Sequence, residues 1–175
     1  HAGKDITIDG HVVEKGVGYT DVKGYVDPIN RDLDLQTESL NTQLGFLNKY
    51  TADIFSNVSG RATGNCRIYG GFQTIEFSGH EIGEAEATIP ITGVTYVVKD
   101  ADVDIVPDAF RINSATINDK FFGTGTASGI LAHEHIKNMQ YDFKLQGTNL
   151  RLYEKPRELD MPFFATATGS GNVHL

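Results

Sequence analysis

The sequence predicts an all-β fold in which short antiparallel strands each carry one apolar and one polar side. Three observations support this prediction: apolar and polar residues alternate along most of the chain, glycine is abundant, and continuous apolar runs are nearly absent. The chain has 175 residues, of which 19 are Gly and 39% are hydrophobic. This composition favours many strands joined by tight turns over a helical bundle. We expect residues 1–175 to form a single β-rich segment.

The clearest alternation is in NMQYDFKLQG, residues 138–147. Met139, Tyr141, Phe143 and Leu145 are apolar, and the residues between them are polar. This period of two is typical of a strand with one dry face and one wet face. The runs are bounded by Gly, Pro, Asn or Asp, as expected for an antiparallel meander. The same alternation recurs in DITIDGHV, RDLDLQT, TIEFSG, EAEATIPI, DADVDIVP, AFRINSA and NLRLYE.

One segment departs from the alternating pattern. In SLNTQLGFLNKYTADIF, residues 39–55, Leu40, Leu44 and Leu47 are spaced at helical intervals, and Ser39 is a suitable N-cap. We predict one short amphipathic helix near 39–55 that lies on, or plugs, one end of the sheet.

Charge and cysteine content restrict the classes of partner and compartment. The formal net charge is −8, from 15 Lys+Arg against 23 Asp+Glu. Such a surface repels phosphate backbones, so we expect no nucleic-acid partner. The single cysteine, Cys66, excludes a disulfide within the chain but does not fix the compartment.

The sequence contains no motif that predicts catalysis. It has neither a nucleophile elbow nor a glycine loop with nucleotide-binding spacing. His133 and His135 share a strand side without a third metal ligand nearby, and Asp100, Asp102 and Asp104 lack the glycine and glutamate of a calcium loop. We therefore expect a protein that is not an enzyme and that has no metal site or cofactor.

The apolar sides of the strands must be covered by something, and three arrangements are possible. Two sheets pack as a β-sandwich, a closed barrel holds a core or small ligand, or one long sheet curls into an open trough. Small residues such as Ala85 and Ala87 stand where a tight core requires bulk. An open apolar trough in water requires an amphipathic guest.

From Ser59 to Glu154 the order of these segments resembles the TamB family, the translocation and assembly module proteins, and is most similar to Bacteroides-type members. Residues 1 to 58 fit the family only in pattern. The resemblance rests on the Gly-x-x-x-x-Tyr-Gly strand from Gly64 to Gly70, the hairpin GVTYVVKDADVDIVPD, the run INDKFFGTGTASGILAH, and the alternating pair MQYDFKLQG and TNLRLYE.

The resemblance implies a fold and a function. TamB-like proteins are anchored in the inner membrane, reach across the periplasm and pair with TamA, an outer-membrane barrel. Their sheet curls lengthwise into an apolar trough, the β-taco. Together with other AsmA-like proteins they are linked to outer-membrane protein assembly and to phospholipid transport between membranes. The membrane anchor and the region that meets the TamA-like partner are expected outside these residues.

We therefore expect an open antiparallel trough whose lining holds the acyl chains of phospholipid or another amphipathic guest. Two alternatives are a scaffold that binds strands of unfolded outer-membrane proteins and a closed barrel that binds a small hydrophobic ligand. A structural spacer whose apolar faces close on themselves is a third. The residues predicted to line the trough are Leu33, Leu35, Ile75, Phe77, Ile89, Val103, Ile105, Phe110, Ile112, Met139, Tyr141, Phe143, Leu145, Leu150 and Leu152.

Overall fold

The computed structural model describes residues 5–14, 17–52, 54–135, 137–154 and 165–174. These residues form one 10-stranded antiparallel sheet in which each strand pairs with the next one along the chain. The described part contains no helix that is both long and apolar enough to cross a membrane. The strands are β1 (Ile6–Glu14), β2 (Gly18–Asp27), β3 (Asp32–Gln43), β4 (Ser56–Gly71), β5 (Thr74–Ile89), β6 (Val94–Val106), β7 (Ala109–Asp119), β8 (Thr124–Glu134), β9 (Lys137–Glu154) and β10 (Thr166–His174).

This topology confirms the all-β, antiparallel prediction and excludes two alternatives. The first and last strands, β1 and β10, each pair on one side only and do not pair with each other. The sheet is therefore open and does not close into a barrel. Within the described residues no second sheet lies on it, so the β-sandwich alternative is also wrong.

The strands are longer than the sequence patterns predicted. TIEFSG and EAEATIPI are parts of one strand, β5, of 16 residues. The supposed pair MQYDFKLQG and TNLRLYE is one strand, β9, of 18 residues. The predicted hairpin GVTYVVKDADVDIVPD contains one strand, β6, of 13 residues. Glycines interrupt the alternation of apolar residues but not the hydrogen-bonded pairing of the strands. For this reason the sequence pattern of one strand was interpreted as two strands.

The predicted helix near 39–55 is wrong in its start and its length. Ser39 and Leu40 belong to β3, and Ser39 does not cap a helix. After β3 the chain forms a 3-10 turn, Gly45–Leu47, and a single α-helical turn, α1 (Asn48–Thr51). The strand continues to Gln43 because it pairs with β4, and this pairing outweighs the local helical spacing of the leucines.

The register of the sheet separates an apolar side from a polar side. Directly paired residues on neighbouring strands point to the same side of a sheet. Leu33 pairs with Gly70, which pairs with Ile75, and on later strands Ile105 pairs with Phe110. Gly79 pairs with Ile105 and, like Ile75, lies at an odd position of β5, so all of these residues share one side. We call this side the apolar face and the other side the polar face.

The sheet curls towards the apolar face. In a flat sheet β6 and β9 lie three strand spacings, about 14 Å, apart. Instead, the hydroxyl of Tyr96 on β6 donates to the carbonyl oxygen of Arg151 on β9. The backbone N–H of Glu154 donates to the carbonyl oxygen of Thr92, at 2.8 Å. Because register places Tyr96 on the apolar face, that face is the concave one.

Four β-bulges contribute to the bending. Asn41, Asn57, Asp100 and Asn149 have φ angles of 54, 55, 50 and 53° and stand at register shifts in β3, β4, β6 and β9. Asn and Asp tolerate this left-handed conformation better than other side chains with a Cβ. A bulge bends its strand and increases the local twist, so these residues favour a curled sheet over a flat one.

The sheet buries few side chains completely. Among the described residues, the buried apolar side chains are Val58, Val94, Ala109, Ala115 and Leu150. The chain exposes 11490 Å² of surface, whereas a compact monomer of this length exposes about 8,400 Å². The difference is that expected of a single curled layer without a covering layer.

Candidate functional site

The concave apolar face is the binding surface that the sequence predicted. Register or strict alternation along a paired strand places every predicted lining residue on it. Most of these side chains are half-buried, because strand neighbours flank them and no second sheet lies over them in the described part of the chain. Tyr141 and Leu152 remain 56% and 46% exposed, whereas Leu150 is buried.

The predicted residues of β6 to β9 form one continuous apolar area. One row runs from Ile105 through Phe110 and Leu131 to Tyr141. In the next row Phe143 pairs with Gly129, and its ring lies where a side chain on that glycine would be. The rings of Tyr141 and Phe143 stack with centroids 6.2 Å apart. Large side chains thus alternate with glycines, and the resulting surface is smooth.

A second apolar area lies at the other end of the sheet. Leu35 pairs with Ile68, and Ile68 pairs with Phe77, so three large side chains lie side by side across β3, β4 and β5. In the neighbouring row Leu33 and Ile75 flank Gly70. Phe77 and Gly79 are two residues apart on β5, and Gly79 pairs with Ile105 on β6. The two apolar areas therefore meet between β5 and β6.

Sequence analysis missed several residues of the same face. Val22 and Val26 on β2, Val98 on β6 and Ile117 on β7 occupy apolar-face positions. Val22 and Val26 alternate with polar residues in DVKGYVD, so the period-two signal was present. The bulge at Asp100 hides the signal of Val98, because the extra residue breaks the alternation of β6.

Asp119 fastens one end of the concave face. One carboxylate oxygen accepts hydrogen bonds from the backbone N–H groups of Phe121 and Gly123, at 2.6 and 2.9 Å, and the other accepts the N–H of Arg151. Burial alone would raise the pKa of Asp119, but these donors hold it below the usual value. The Arg151 guanidinium also lies 3.8 Å from the centroid of the Phe121 ring.

Glu81 interrupts the apolar lining. It pairs with Gly64 and Val103, both on the apolar face, and two residues away on either side its own strand carries Gly79 and Gly83. Burial raises the pKa of the Glu81 carboxyl. We call Glu81, Ser39 and the three glycines the Glu81 notch.

On the polar face, ion pairs connect neighbouring strands. Arg67 binds Asp34 through two hydrogen bonds of 2.8 and 2.6 Å and stacks on Tyr69, 4.6 Å from the ring centroid. His11 lies 2.6 Å from Asp21 in a similar pairing. These exposed pairs are typical of a solvated outer surface.

Three side chains of the polar face are close enough to share a metal ion. His80, Asp102 and Asp104 offer ligand atoms within 4.8 Å of one another. The hydrogen bond that His80 donates to the Asp104 carboxylate raises the pKa of His80, and the amide of Asn113 donates to the carboxylates of Asp102 and Asp104 at 2.9 Å. The three side chains are 40 to 46% exposed. This arrangement is satisfied by internal hydrogen bonds.

Asp102 and Asp104 of this cluster were singled out in the sequence, and two other such residues, His133 and Cys66, lie apart from it. His133 is buried against the ring of Phe110, with centroids 5.0 Å apart, and burial lowers its pKa. Cys66 lies on the apolar face, where burial raises the pKa of its thiol to about 11. A thiol with this pKa is a poor nucleophile.

Comparisons of the chain with family models, curated proteins and solved structures give no match.

Proposed function

We propose that this chain is a periplasmic segment of a TamB-like protein whose concave apolar face carries the acyl chains of phospholipid. In this role it supports phospholipid transfer, outer-membrane protein assembly, or both, between the inner and outer membranes. The observation that carries the proposal is one concave apolar face, continuous from β6 to β9, which no second sheet of the described residues covers. Uncovered apolar surfaces of this extent mark sites that bind apolar partners.

The energetics of the apolar face favour loose binding along its length. Each methylene group removed from water contributes about 0.8 kcal/mol, so partial coverage of two acyl chains offsets much of the cost of leaving a bilayer. Glycines lie under the rings and branched side chains of the lining, as Gly129 does under Phe143. Large side chains thus fill the places over the glycines and level the described lining, which suits sliding more than capture.

The proposed compartment and partners follow from the resemblance and agree with the charge. A periplasmic location would place this segment between two membranes, with its anchor and its TamA-like partner contacts in other parts of a longer protein. A net charge of −8 disfavours adhesion of the convex side to anionic membrane surfaces. We propose no catalytic step for this chain.

The direct test is to purify the chain from bacteria without detergent, extract it with organic solvent and quantify phospholipid by mass spectrometry. We expect phospholipid at near-stoichiometric amounts, resistant to gel filtration. A chain that is folded by circular dichroism and carries no phospholipid, even after incubation with vesicles, would contradict the proposal.

A second candidate function is favoured by the free edges of the sheet. β1 and β10 each present one unpaired edge among the described residues, and β10 is exposed along nearly all of its length. Such edges accept an added strand from another chain. A scaffold for unfolded outer-membrane proteins would bind peptides from barrel strands in the absence of lipid. Binding of such peptides by lipid-free protein, together with the absence of phospholipid, would favour this candidate.

A further inference from the structure

Glu81 is unusual because it places a carboxylate within the concave apolar face. At the paired positions of that face, away from strand ends, it is the only charged side chain among the described residues. The other acidic residues of the face, such as Glu14 and Asp119, lie at strand ends. A carboxylate on an apolar surface loses hydration, which destabilises the free protein unless a ligand compensates for the loss.

The nearest positions around Glu81 on the apolar face carry no side chains that would shield its carboxylate. A Cβ atom on its partner Gly64 would lie 2.8 Å from Glu81 Oε2, so the carboxylate occupies the place of that missing side chain. Gly79 and Gly83 remove the side chains on either side along β5. Glu81 is therefore flanked by three positions without side chains, and its carboxylate lies over one of them, Gly64.

The carboxylate has little internal compensation. Its hydrogen-bond partner is the hydroxyl of Ser39, whose Oγ lies 3.4 Å from both carboxylate oxygens, a long and weak contact. Several acidic residues elsewhere have close cations: Asp34 pairs with Arg67 at 2.6 Å, and Glu86 pairs with Lys120 at 3.1 Å. The ion pairs of the described residues do not include Glu81.

The notch opens onto the main apolar area. Along one register row Glu81 is followed by Val103, Ile112, Gly129 and Phe143 on the next four strands. This row spans about 19 Å across the sheet. A ligand held at Glu81 by a polar group can therefore extend an acyl chain over Val103 and Ile112 as far as Phe143.

We propose that the Glu81 notch selects amphiphiles that carry a primary ammonium head group and disfavours those with an anionic head group. This inference rests on the proposed function, since it assigns the head group of the same apolar ligand. An ammonium is compact and offers three donors, which suit the two Glu81 oxygens and the Ser39 hydroxyl. An anionic head group meets an unpaired negative charge at the same place.

The test measures which phospholipid the purified chain extracts from mixed vesicles. The vesicles contain equal amounts of phosphatidylethanolamine and phosphatidylglycerol with identical acyl chains, and protein-bound lipid is quantified by mass spectrometry. For the wild-type chain we expect a preference for phosphatidylethanolamine of about threefold or more, as expected of one partly shielded ion pair. Glu81→Gln, which keeps the shape and removes the charge, should bring the ratio close to one.

Two further variants make the result specific to the notch. Glu84→Gln makes the same charge change on the same strand, but Glu84 pairs with Arg61 on the polar face, so the wild-type preference should persist. Glu81→Lys should turn the preference towards phosphatidylglycerol. Free ethanolamine, which lacks acyl chains, should not displace bound lipid at equal concentration.

The two proposals fail in different ways. If the wild-type chain binds phospholipid but the bound ratio is one, or is unchanged by Glu81→Gln, head-group selection by Glu81 is wrong and lipid binding stands. If the wild-type chain binds neither phospholipid, both the proposed function and this inference are overturned. Displacement by free ethanolamine would assign the notch to a soluble amine and would also overturn the inference.

Discussion

The carboxylate of Asp119, at the end of β7, accepts a hydrogen bond from the backbone N–H of Arg151 on β9. β8 lies between these two strands in the sheet, so this bond forms only because β9 bends over the end of the β7–β8 hairpin. Tyr96 reinforces the same closure by donating to the carbonyl of Arg151. One carboxylate and one hydroxyl thus fix both backbone groups of a single residue on the curled strand.

We predict that Asp119→Ala destabilises the protein through this closure. The substitution leaves the N–H groups of Phe121, Gly123 and Arg151 without their acceptor, and we expect the free energy of unfolding to fall by about 2–4 kcal/mol. Urea denaturation followed by circular dichroism measures this loss. As a control, Asp142→Ala removes an exposed carboxylate and should change stability by less than about 0.5 kcal/mol. Equal effects of the two substitutions would show that Asp119 does not fasten the curl.

The lowered pKa of Asp119 predicts that the fold loses part of its stability at acid pH. Because the pKa of Asp119 is lower in the folded than in the unfolded chain, its contribution is complete above about pH 4, the usual range for an unfolded carboxyl. The contribution is lost as the pH falls through the folded-state pKa. We therefore expect Asp119→Asn to lose less stability than wild type between pH 6 and pH 3. Parallel stability curves would contradict this assignment.

We predict that replacing Gly129 even by alanine lowers the stability of the protein. Its φ angle is +156°, and a Cβ atom would lie 2.3 Å from the Asp142 carbonyl oxygen and 2.4 Å from the Phe143 ring. Gly129→Ala should lower the free energy of unfolding by about 1–3 kcal/mol. At Gly10, on the same face, nothing lies within 4 Å of an added Cβ, so Gly10→Ala should be neutral or slightly stabilising. Thermal unfolding of both variants decides whether close packing on the apolar face is real.

Substitutions on opposite sides of β9 test which side binds lipid. Phe143→Asp places a charge on the apolar face, and we expect bound phospholipid to fall by about tenfold or more, because a buried aromatic side chain is worth about 1.5–3 kcal/mol. Tyr141→Asp should act in the same direction. Gln146→Asp adds a charge to the polar face of the same strand and should leave lipid binding unchanged. If Phe143→Asp alters neither stability nor lipid binding, the assignment of faces is wrong.

The alternation of apolar and polar residues predicted well which face of the sheet each side chain lies on, and the reason is geometric. Side chains alternate across any strand, so residues such as Phe143 and Leu145 share a side whatever the strand's length or neighbours. Strand length and register depend on partners far along the chain. Leu40 shows the limit: its spacing to Leu44 and Leu47 fits a helix, yet it pairs with Tyr19 of β2 within β3, and it is 42% exposed on the polar face.

The feature of the site that sequence reasoning missed is Glu81. Its stretch, SGHEIGEAEA, does not alternate cleanly, because glycines occupy the apolar positions around it. Only the register from Ile75 and Phe77 along β5 shows that Glu81 lies on the apolar side. The direction of the curl was equally hidden, since it depends on contacts of Tyr96 and Asp119 with a strand more than thirty residues away.

The proposed function requires an apolar face that is open to ligands rather than sealed, and a single tryptophan tests this most directly. The chain contains 0 Trp, so Phe143→Trp and Gln146→Trp each introduce one fluorescent reporter, on the apolar and polar faces of β9. Each variant is mixed with phospholipid brominated along its acyl chains, which quenches fluorescence on contact. We predict strong quenching of the Phe143→Trp variant and little quenching of the Gln146→Trp variant. Equal quenching of both, or none in either, would contradict an acyl-binding apolar face.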